Sequence, residues 1–262
     1  MDIGPFRSFA MELVAASEDV ILPLFRRADL EVIEKSDDTP VTQADRGAEA
    51  VIRKLINQRY PDHGIIGEEY GTENEEAEFV WVLDPVDGTF SFARGIPLFG
   101  TLICLKYQGQ PVMGVINQPF MKECVIGDPS LTTLNGEQVK CSEVSQMDRA
   151  LFLTTDSRRA AKLQPHTQFD ALVEKCRLFR TWGDAYGYLM VATGRAEAMF
   201  DPIVNEWDFI GHVPILQGAG GRVSDWDGND PVGAESVICT NAALYDEVMT
   251  ILHDKQPNPS AS

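Results

Sequence analysis

Two aspartates follow an apolar segment that has the composition of a buried strand. Residues 81–89 read WVLDPVDGT, so Asp84 and Asp87 lie three positions apart on either side of a proline. Carboxylates at i and i+3 of a turn can converge on one point. Glu68 stands sixteen positions before Asp84. If it is close in space, the three carboxylates form an all-oxygen pocket suited to a hard divalent cation such as Mg²⁺.

The residues after Asp87 suggest an anion site beside this pocket. Gly88 and Thr89 could open a helix, and the free N–H groups at a helix N-terminus bind phosphate. A metal site and an anion site at one point indicate phosphoryl chemistry. An ordinary acidic turn is the structural alternative, because D-G dipeptides mark turns. Haloacid-dehalogenase phosphatases also use an Asp-rich strand end, but as a DxD pair, which argues against them here.

Four separated segments share the order and spacing of a known enzyme family. They are KSDDTPVTQAD at 35–45, GEEYG at 67–71, DPVDGTFSFARGIPLFGTLI at 84–103 and EWDFIGHVPILQGAGG at 206–221. Over residues 5–250 the chain resembles the inositol monophosphatase superfamily of Mg²⁺-dependent, Li⁺-sensitive phosphomonoesterases. This resemblance implies an α+β fold, the layered αβαβα sandwich of the sugar phosphatases, which periodicity alone does not predict.

The resemblance also implies roles for individual residues. Asp45 and Thr89 would orient and deprotonate the attacking water. Two or three Mg²⁺ ions would be held by four carboxylates and one carbonyl: Glu68, Asp84, the Val86 carbonyl, Asp87 and Asp208. The phosphate would be held by the N–H groups of Gly88, Thr89 and Phe90. Supporting roles fall to Lys35, Thr42 and Glu69.

Each of these residues also has a structural interpretation. Thr89 could be a helix N-cap, and Asp45 a plain cap. Asp208 could be an N-terminal acid favoured by the helix dipole. Glu68 could belong to an exposed acidic pair.

Residues 88–103 and the later segments 183–202 and 206–221 resemble histidinol-phosphate phosphatases more than inositol monophosphatases. Asp184 and Asp201 would then form an acidic substrate wall, which suits the ammonium and imidazole of histidinol. Three alternatives stay open. They are an inositol- or broad sugar-phosphate phosphatase, a 3′-phosphonucleotide phosphatase, and a catalytically inactive metal-binding interaction protein. The compact chain lacks the insertions usual in the second.

Composition limits the partners. The net charge of −18 argues against nucleic-acid binding, and bound Mg²⁺ would let such an acidic protein accept a phosphate ester. The N-terminus lacks signal-peptide features, and no apolar stretch is long enough to cross a bilayer. Five scattered cysteines without a CxxC motif indicate reduced thiols in a cytoplasm. The expected partner is a small phosphate ester, with neither nucleic acid nor membrane.

At 262 residues the chain can bury a large core as a single catalytic domain. We expect two packed lobes: a metal- and phosphate-binding lobe over 1–145 and a substrate-side lobe over 146–253. The tail at 254–262 is expected to be disordered. The apolar region 95–120 offers more hydrophobic surface than one lobe obviously needs, and with the family resemblance it predicts a homodimer.

The hydrophobic pattern predicts the elements that position the site. Helical spacing predicts helices over 5–27, 44–59, 184–194, 207–217 and 241–253. Strands are predicted at 64–67, 79–84, 123–127, 196–200, 221–225 and 236–240, with a hairpin over 101–118. Residues 130–150 are polar and turn-rich and predict a joint between the lobes.

Overall fold

A computed structural model describes residues 2–34 and 40–254 of the chain. The helices of this part are α1 (Gly4–Ile21), α2 (Gln43–Arg59), α3 (Thr89–Ala93), α4 (Ser157–Leu163), α5 (Phe169–Lys175), α6 (Asp184–Ala192), α7 (Glu206–Phe209), α8 (His212–Gly218) and α9 (Tyr245–Leu252). Lys35 and the residues of the predicted tail from 255 onward lie outside the described residues.

Fifteen strands are described. They are β1 (Val32–Glu34), β2 (Pro40–Thr42), β3 (Gly64–Gly67), β4 (Gly71–Glu73), β5 (Phe79–Asp87), β6 (Gly100–Tyr107), β7 (Gln110–Gln118), β8 (Glu123–Asp128), β9 (Leu131–Leu134), β10 (Glu137–Gln138), β11 (Leu151–Thr154), β12 (Leu178–Arg180), β13 (Ala198–Asp201), β14 (Gly221–Ser224) and β15 (Val237–Asn241). Eight form one sheet in the order β10-β9-β8-β7-β6-β5-β3-β4, and five form another in the order β12-β11-β13-β15-β14. The strands β1 and β2 pair separately.

The first layer is the helix pair α1 and α2 on one face of the eight-stranded sheet. Ile52 and Ile56 of α2 are fully buried, and their spacing of four places them on one stripe of the helix. They pack with Leu13 of α1 against Trp81 and Leu83 of β5. Because side chains alternate along a strand, Val82, between these two residues, faces the other side of the sheet.

The other face of the eight-stranded sheet packs on the helices α6 and α8, which separate it from the five-stranded sheet. Val82 of β5 and Ile116 of β7 lie in one cluster with Leu189 of α6, Leu216 of α8 and Cys239 of β15. This cluster is the central core of the molecule. It holds α6 and α8 against both sheets.

The outermost layer covers the far face of the five-stranded sheet. Phe152 and Phe200, from neighbouring strands, are buried against Phe169 of α5 and Val248 of α9. The layers therefore alternate helix, sheet, helix, sheet, helix. The expected αβαβα sandwich is confirmed.

The main chain itself sets one contact between the layers. Gly114 lies on β7, and Gly211 lies between α7 and α8. A Cβ on Gly114 would stand 1.8 Å from the Gly211 carbonyl oxygen, closer than any atom can approach. The start of α8 therefore rests directly on the backbone of the sheet.

Two predicted elements around the site are wrong in their bounds. The strand predicted to end at residue 84 continues to Asp87, with a register shift against β6 between Asp84 and Asp87. Pro85 has no N–H to donate, so a bulge is accommodated there. The helix predicted over 207–217 is two helices. Pro214 stands in the first turn of the second, where its missing N–H is tolerated, and it would break one continuous helix.

The second half contains elements that the hydrophobic pattern did not predict. The joint expected over 130–150 contains β9 and β10, and residues 151–180 contain β11, α4, α5 and β12. These elements are short. Two to seven residues carry too few periods to separate a strand from a helix.

Most of the apolar region 95–120 is core, because Phe99, Leu102, Ile103 and Val115 are buried within the described chain. Ile96 and Phe120, near its two ends, are exposed. Dimerisation stays a prediction. None of the described helices is long and apolar enough to cross a membrane. All five cysteines are free thiols.

Candidate active site

A cleft of about 900 Å³ opens beside the carboxyl end of β5. Its walls come from the start of α3, from α4, and from the starts of α6 and α7. Ten of the residues expected at the site line it: Glu68, Asp84, Val86, Asp87, Gly88, Thr89, Phe90, Asp184, Asp201 and Asp208. Residues from separate parts of the sequence therefore meet in one cavity, as the motif order predicted.

The bulge of β5 presents the two central aspartates to the cleft. Asp84 is 2% exposed, and its Oδ1 accepts a hydrogen bond from the Val86 N–H at 3.0 Å. The Pro85 carbonyl accepts from the Thr101 hydroxyl at 2.9 Å, which holds the bulge onto β6. The Asp87 carboxylate accepts from the Ala185 N–H at the start of α6. These hydrogen bonds hold the bulge onto β6 and tie Asp87 to the start of α6.

The turn after Asp87 requires a glycine. Gly88 has φ +83°, a left-handed conformation that glycine adopts without steric cost. A Cβ there would also stand 2.7 Å from the Leu98 carbonyl. Gly88 caps α3, so the interpretation of Thr89 as the N-cap is wrong: Thr89 is the first helical residue. The side chain of Phe90, at 59% exposure, stands at the mouth of the cleft.

Thr89 and Asp45 are in direct contact although they are far apart in the sequence. The Thr89 hydroxyl lies 3.0 Å from Asp45 Oδ1 and 2.9 Å from the Val86 carbonyl oxygen. The other Asp45 oxygen accepts from the Thr42 N–H and hydroxyl, at 2.8 and 2.6 Å. Thr42 caps α2 and Asp45 completes the capping box. Asp45 therefore has a capping role and also contacts Thr89.

The remaining carboxylates approach from other elements. Asp208 sits at the third position of α7, where its Oδ2 accepts from the Asn205 N–H at 2.8 Å. Glu68 follows β3, and its N–H donates to the Leu83 carbonyl at 3.2 Å. Glu69 is buried beside Arg46, with 3.9 Å between Oε2 and the guanidinium Nε. Only Glu68 of the acidic pair faces the cleft.

Burial and mutual repulsion act together on these carboxylates. Burial, and then the charges of Glu68 and Asp87, raise the pKa of Asp84 well above its usual value. Burial is the largest cause that raises the pKa of Asp184 and of Asp208 to about 7. Burial also raises the pKa of Asp45 to about 6. Carboxylates held this close favour either protons or cations.

The donor set fits a hard divalent cation. All the candidate ligands are oxygens, which Mg²⁺ prefers, and a bound cation would offset the repulsion that raises their pKa values. In the described part of the chain no three carboxylates are already gathered as an ion cage. Asp84, Asp87 and Asp208 each accept a hydrogen bond from a backbone N–H instead. Each of them uses one carboxylate oxygen for this bond, so the other oxygen is available to a cation.

One buried residue that the sequence reasoning missed holds the Glu68 loop. Glu49 of α2 is 0% exposed and accepts from the N–H groups of Glu69 and Tyr70, at 2.8 and 3.2 Å. Arg53 pairs with it at 2.7 Å. A Cβ on Gly67 would stand 2.1 Å from Glu49 Oε1, so the loop is packed directly on this carboxylate. The sequence signal that could have identified Glu49 is its place on the same stripe of α2 as the buried Ile52 and Ile56.

We expect Glu49→Gln to destabilise the protein. The substitution removes a charge-assisted partner from two backbone N–H groups and takes from Arg53 its buried carboxylate partner, at a cost of about 1–3 kcal/mol. Thermal unfolding of the metal-free protein should therefore shift down by roughly 3–10 °C. Glu73→Gln is the control, because Glu73 is an exposed partner of the same Arg53 at 3.7 Å. If both variants unfold at the same temperature, Glu49 does not hold the loop.

The two acids expected at the substrate wall differ in their surroundings. Both oxygens of Asp201 are already engaged: Oδ1 accepts from the Thr155 N–H at 3.2 Å, and Oδ2 from the Tyr188 hydroxyl at 2.6 Å. By contrast, no described residue donates a hydrogen bond to the Asp184 carboxylate. Its backbone has φ +49°, unusual for a non-glycine residue and common at functional sites. Asp184 is therefore the acid available to a ligand.

Two cationic side chains on the cleft wall were also missed. Arg159 and Lys162 of α4 line the cleft together with seven carboxylate side chains. The hydrophobic pattern gave no element there, so the sequence offered no way to place them.

Comparison with known proteins gives consistent results. A sequence model of the inositol monophosphatase family matches residues 2–256. A histidinol-phosphatase of Chlorobaculum parvum is 36% identical over 242 residues, 92% of this chain and 93% of that protein. A histidinol-phosphatase of Mycobacterium tuberculosis is 30% identical over 250 residues, 93% of this chain and 96% of that protein. The solved structure of an inositol monophosphatase from Zymomonas mobilis matches with a TM-score of 0.83 at 35% identity, over 96% of this chain and 98% of that one.

Proposed function

We propose, from the premise that this chain belongs to the inositol monophosphatase family and is a phosphoric monoester hydrolase, that its preferred substrate is L-histidinol phosphate. The observation that carries the proposal is the Asp184 carboxylate, which lines the same cleft as the candidate metal ligands and accepts no hydrogen bond from a described residue. The similarity to two histidinol-phosphatases supports it.

Asp184 lies where a substrate amine could reach it. Its Oδ2 is 3.2 Å from the position that a Cβ on Gly88 would occupy, beside the turn expected to hold the phosphate. Histidinol carries an ammonium near its phosphate ester. A carboxylate that meets this ammonium in a partly closed cleft forms a charge-assisted hydrogen bond. Inositol has no cation, and its hydroxyls would gain less from this partner.

The catalytic step is assigned to Thr89 and Asp45. As the Thr89 hydroxyl passes its proton to Asp45 Oδ1, 3.0 Å away, it can take a proton from the attacking water, so that the proton ends on Asp45 and the water becomes the nucleophile. The Asp45 pKa of about 6 keeps this carboxylate mostly ionised at neutral pH. The N–H groups of Gly88, Thr89 and Phe90 are assigned to the phosphate. Two or three Mg²⁺ ions, held by Glu68, Asp84, Val86 O, Asp87 and Asp208, would neutralise the phosphate and polarise its oxygens.

Steady-state kinetics in the presence of Mg²⁺ test the substrate. We expect a higher kcat/KM for L-histidinol phosphate than for inositol-1-phosphate. The second compound is the alternative because the Zymomonas mobilis structure is that of an inositol monophosphatase. A higher kcat/KM for inositol-1-phosphate would overturn the substrate assignment and leave the reaction class intact. Metal-dependent turnover of either ester would exclude the remaining alternative, a catalytically inactive interaction protein.

We expect Asp184→Asn to raise KM for histidinol phosphate about 10-fold or more, because truncating one partner of a desolvated charge pair costs roughly 2–5 kcal/mol and less at an exposed rim. The KM for glycerol phosphate, which has no cation, should change little. Asp201→Asn is the comparison variant. It disturbs the Thr155 and Tyr188 hydrogen bonds and should weaken turnover of both esters alike. Equal losses on both esters for Asp184→Asn would contradict the recognition role.

A further inference from the structure

Helix α4 carries two cations on the face that lines the catalytic cleft. Arg159 and Lys162 are three positions apart, a spacing that places side chains on one face of a helix. Ala160 faces the opposite way and is buried with Phe152 and Phe169 in the outermost core. This anchor sets the rotation of the helix and holds Arg159 and Lys162, together termed the cationic arm, toward the cleft.

Within the described lining of the cleft, the cationic arm carries the only positive charge. Among the described residues that line the cleft, seven carry carboxylates and no cation other than these two is present. The arm also forms only weak interactions with the rest of the described chain. The Arg159 side chain is 60% exposed and pairs with Asp156 at 3.7 Å. Its charge also acts on Asp201, and no described residue forms an ion pair with Lys162. Exposed pairs of this kind hold a side chain loosely.

The negative charge of the protein would repel an anionic substrate, and the arm could offset this repulsion. A phosphate ester is an anion, and the protein that it approaches carries a net charge of −18. Seven carboxylate side chains line the cleft, because Asp156, Asp184 and Asp201 lie there besides the candidate metal ligands. An anion entering the mouth therefore meets negative potential before it reaches any bound cation. Two mobile cations on one wall would reverse that potential locally.

We propose that Arg159 and Lys162 are substrate-binding residues that capture the phosphate of the incoming monoester at the mouth of the cleft. The guanidinium and ammonium bind phosphate oxygens and deliver the anion into the cleft. The identity of the anion as a phosphate monoester rests on the function proposed above. The arm binds the phosphate of the incoming ester, whereas Asp184 is assigned to the neighbouring amine.

Three variants on α4 separate capture from a general charge effect. Arg159→Gln and Lys162→Gln should each lower kcat/KM about 3- to 10-fold at low salt, with the loss carried by KM. The loss should shrink between about 0.01 M and 0.3 M salt, because the Debye length falls from roughly 30 Å to below 10 Å. Arg158→Gln is the matched control. It removes the same charge from the adjacent position, is exposed, and does not line the cleft.

Two further measurements exclude a structural role for the arm. Arg159→Lys keeps the charge and should recover most of the lost kcat/KM, whereas a packing role would not be rescued this way. Binding of inorganic phosphate to the Mg²⁺-loaded protein, measured by calorimetry, should weaken in Arg159→Gln and stay unchanged in Arg158→Gln. Equal effects of Arg158→Gln and Arg159→Gln, a loss confined to kcat, or a loss independent of salt would each overturn the proposal.

The design also keeps this proposal distinct from the proposed function. Glycerol phosphate and inositol-1-phosphate should show the same dependence on the arm as histidinol phosphate, because all three carry the phosphate. If histidinol phosphate is not preferred but the arm variants weaken every ester, the substrate assignment fails and the arm proposal stands. If histidinol phosphate is preferred and phosphate affinity does not change in Arg159→Gln, the arm proposal alone fails.

Discussion

Asp84→Asn should lower kcat by about 1,000-fold or more, the size of loss seen when a group that stabilises the transition state is removed. Asp84 lies at the centre of the carboxylate set, where burial and neighbouring charges raise its pKa. Asparagine keeps the shape and can still accept the Val86 N–H through its side-chain oxygen. The metal-free variant should unfold at the same temperature or higher, because one of several repelling charges is gone.

Asp128→Asn is the matched control for this substitution. Asp128 ends β8 in the same sheet and pairs with Arg7 at 2.7 Å, far from the cleft. Its replacement should cost some stability and leave kcat unchanged. The opposite pattern, in which Asp84→Asn retains activity and unfolds early, would show that Asp84 is a structural residue of the bulge.

Mg²⁺ should raise the unfolding temperature of the metal-free protein by roughly 5–10 °C at about 100 times its dissociation constant. The cation binds the folded carboxylate set and has no comparable site in the unfolded chain. Binding at this concentration adds about 2.7 kcal/mol to the free energy of unfolding. EDTA should abolish both the shift and the hydrolysis, and added Mg²⁺ should restore them. The measurement is differential scanning calorimetry of the EDTA-treated protein with and without the cation.

The control for this shift is NaCl at matched ionic strength. Screening by monovalent salt also relieves repulsion between exposed acids, but it acts much less on buried ones. A thermal shift from NaCl as large as that from Mg²⁺ would assign the effect to the acidic surface. The Asp84→Asn variant should show a smaller Mg²⁺ shift than the wild type. Hydrolysis that persists in excess EDTA would contradict a metal-dependent reaction.

The site could be predicted from sequence because several of its residues sit at the ends of elements. Asp87, Thr89 and Asp208 each lie where a strand ends or a helix starts, and such positions leave a readable signal of apolar run, acid and glycine. The order of the helix and sheet layers was predicted from the family resemblance, because no local sequence pattern specifies it. Asp45 and Thr89 meet at 3.0 Å although forty-four positions separate them. Only the fold brings them together.

The features that could not be predicted from the sequence are the partners of single side chains and the shortest elements. Glu49 reads as an ordinary helical acid, and its burial against the Glu68 loop follows from how α2 packs on the sheet. Asp201 reads as a substrate contact, yet two protein donors occupy it. Arg159 and Lys162 lie on a helix of seven residues, too short for a periodic signal. Each case concerns a contact between elements that are distant in the chain.

The close approach of Gly114 to Gly211 has an implication for how far the sequence of this protein can drift. Asp208 lies three residues before Gly211, so its height above the sheet that carries Asp84 is set where one main chain touches another. No side chain of variable volume stands between them to act as a spacer. Substitutions that enlarge or shrink the central core can therefore accumulate without changing the distance between these two carboxylates. Catalytic geometry would be inherited through a pair of glycines while the packing around it is free to diverge.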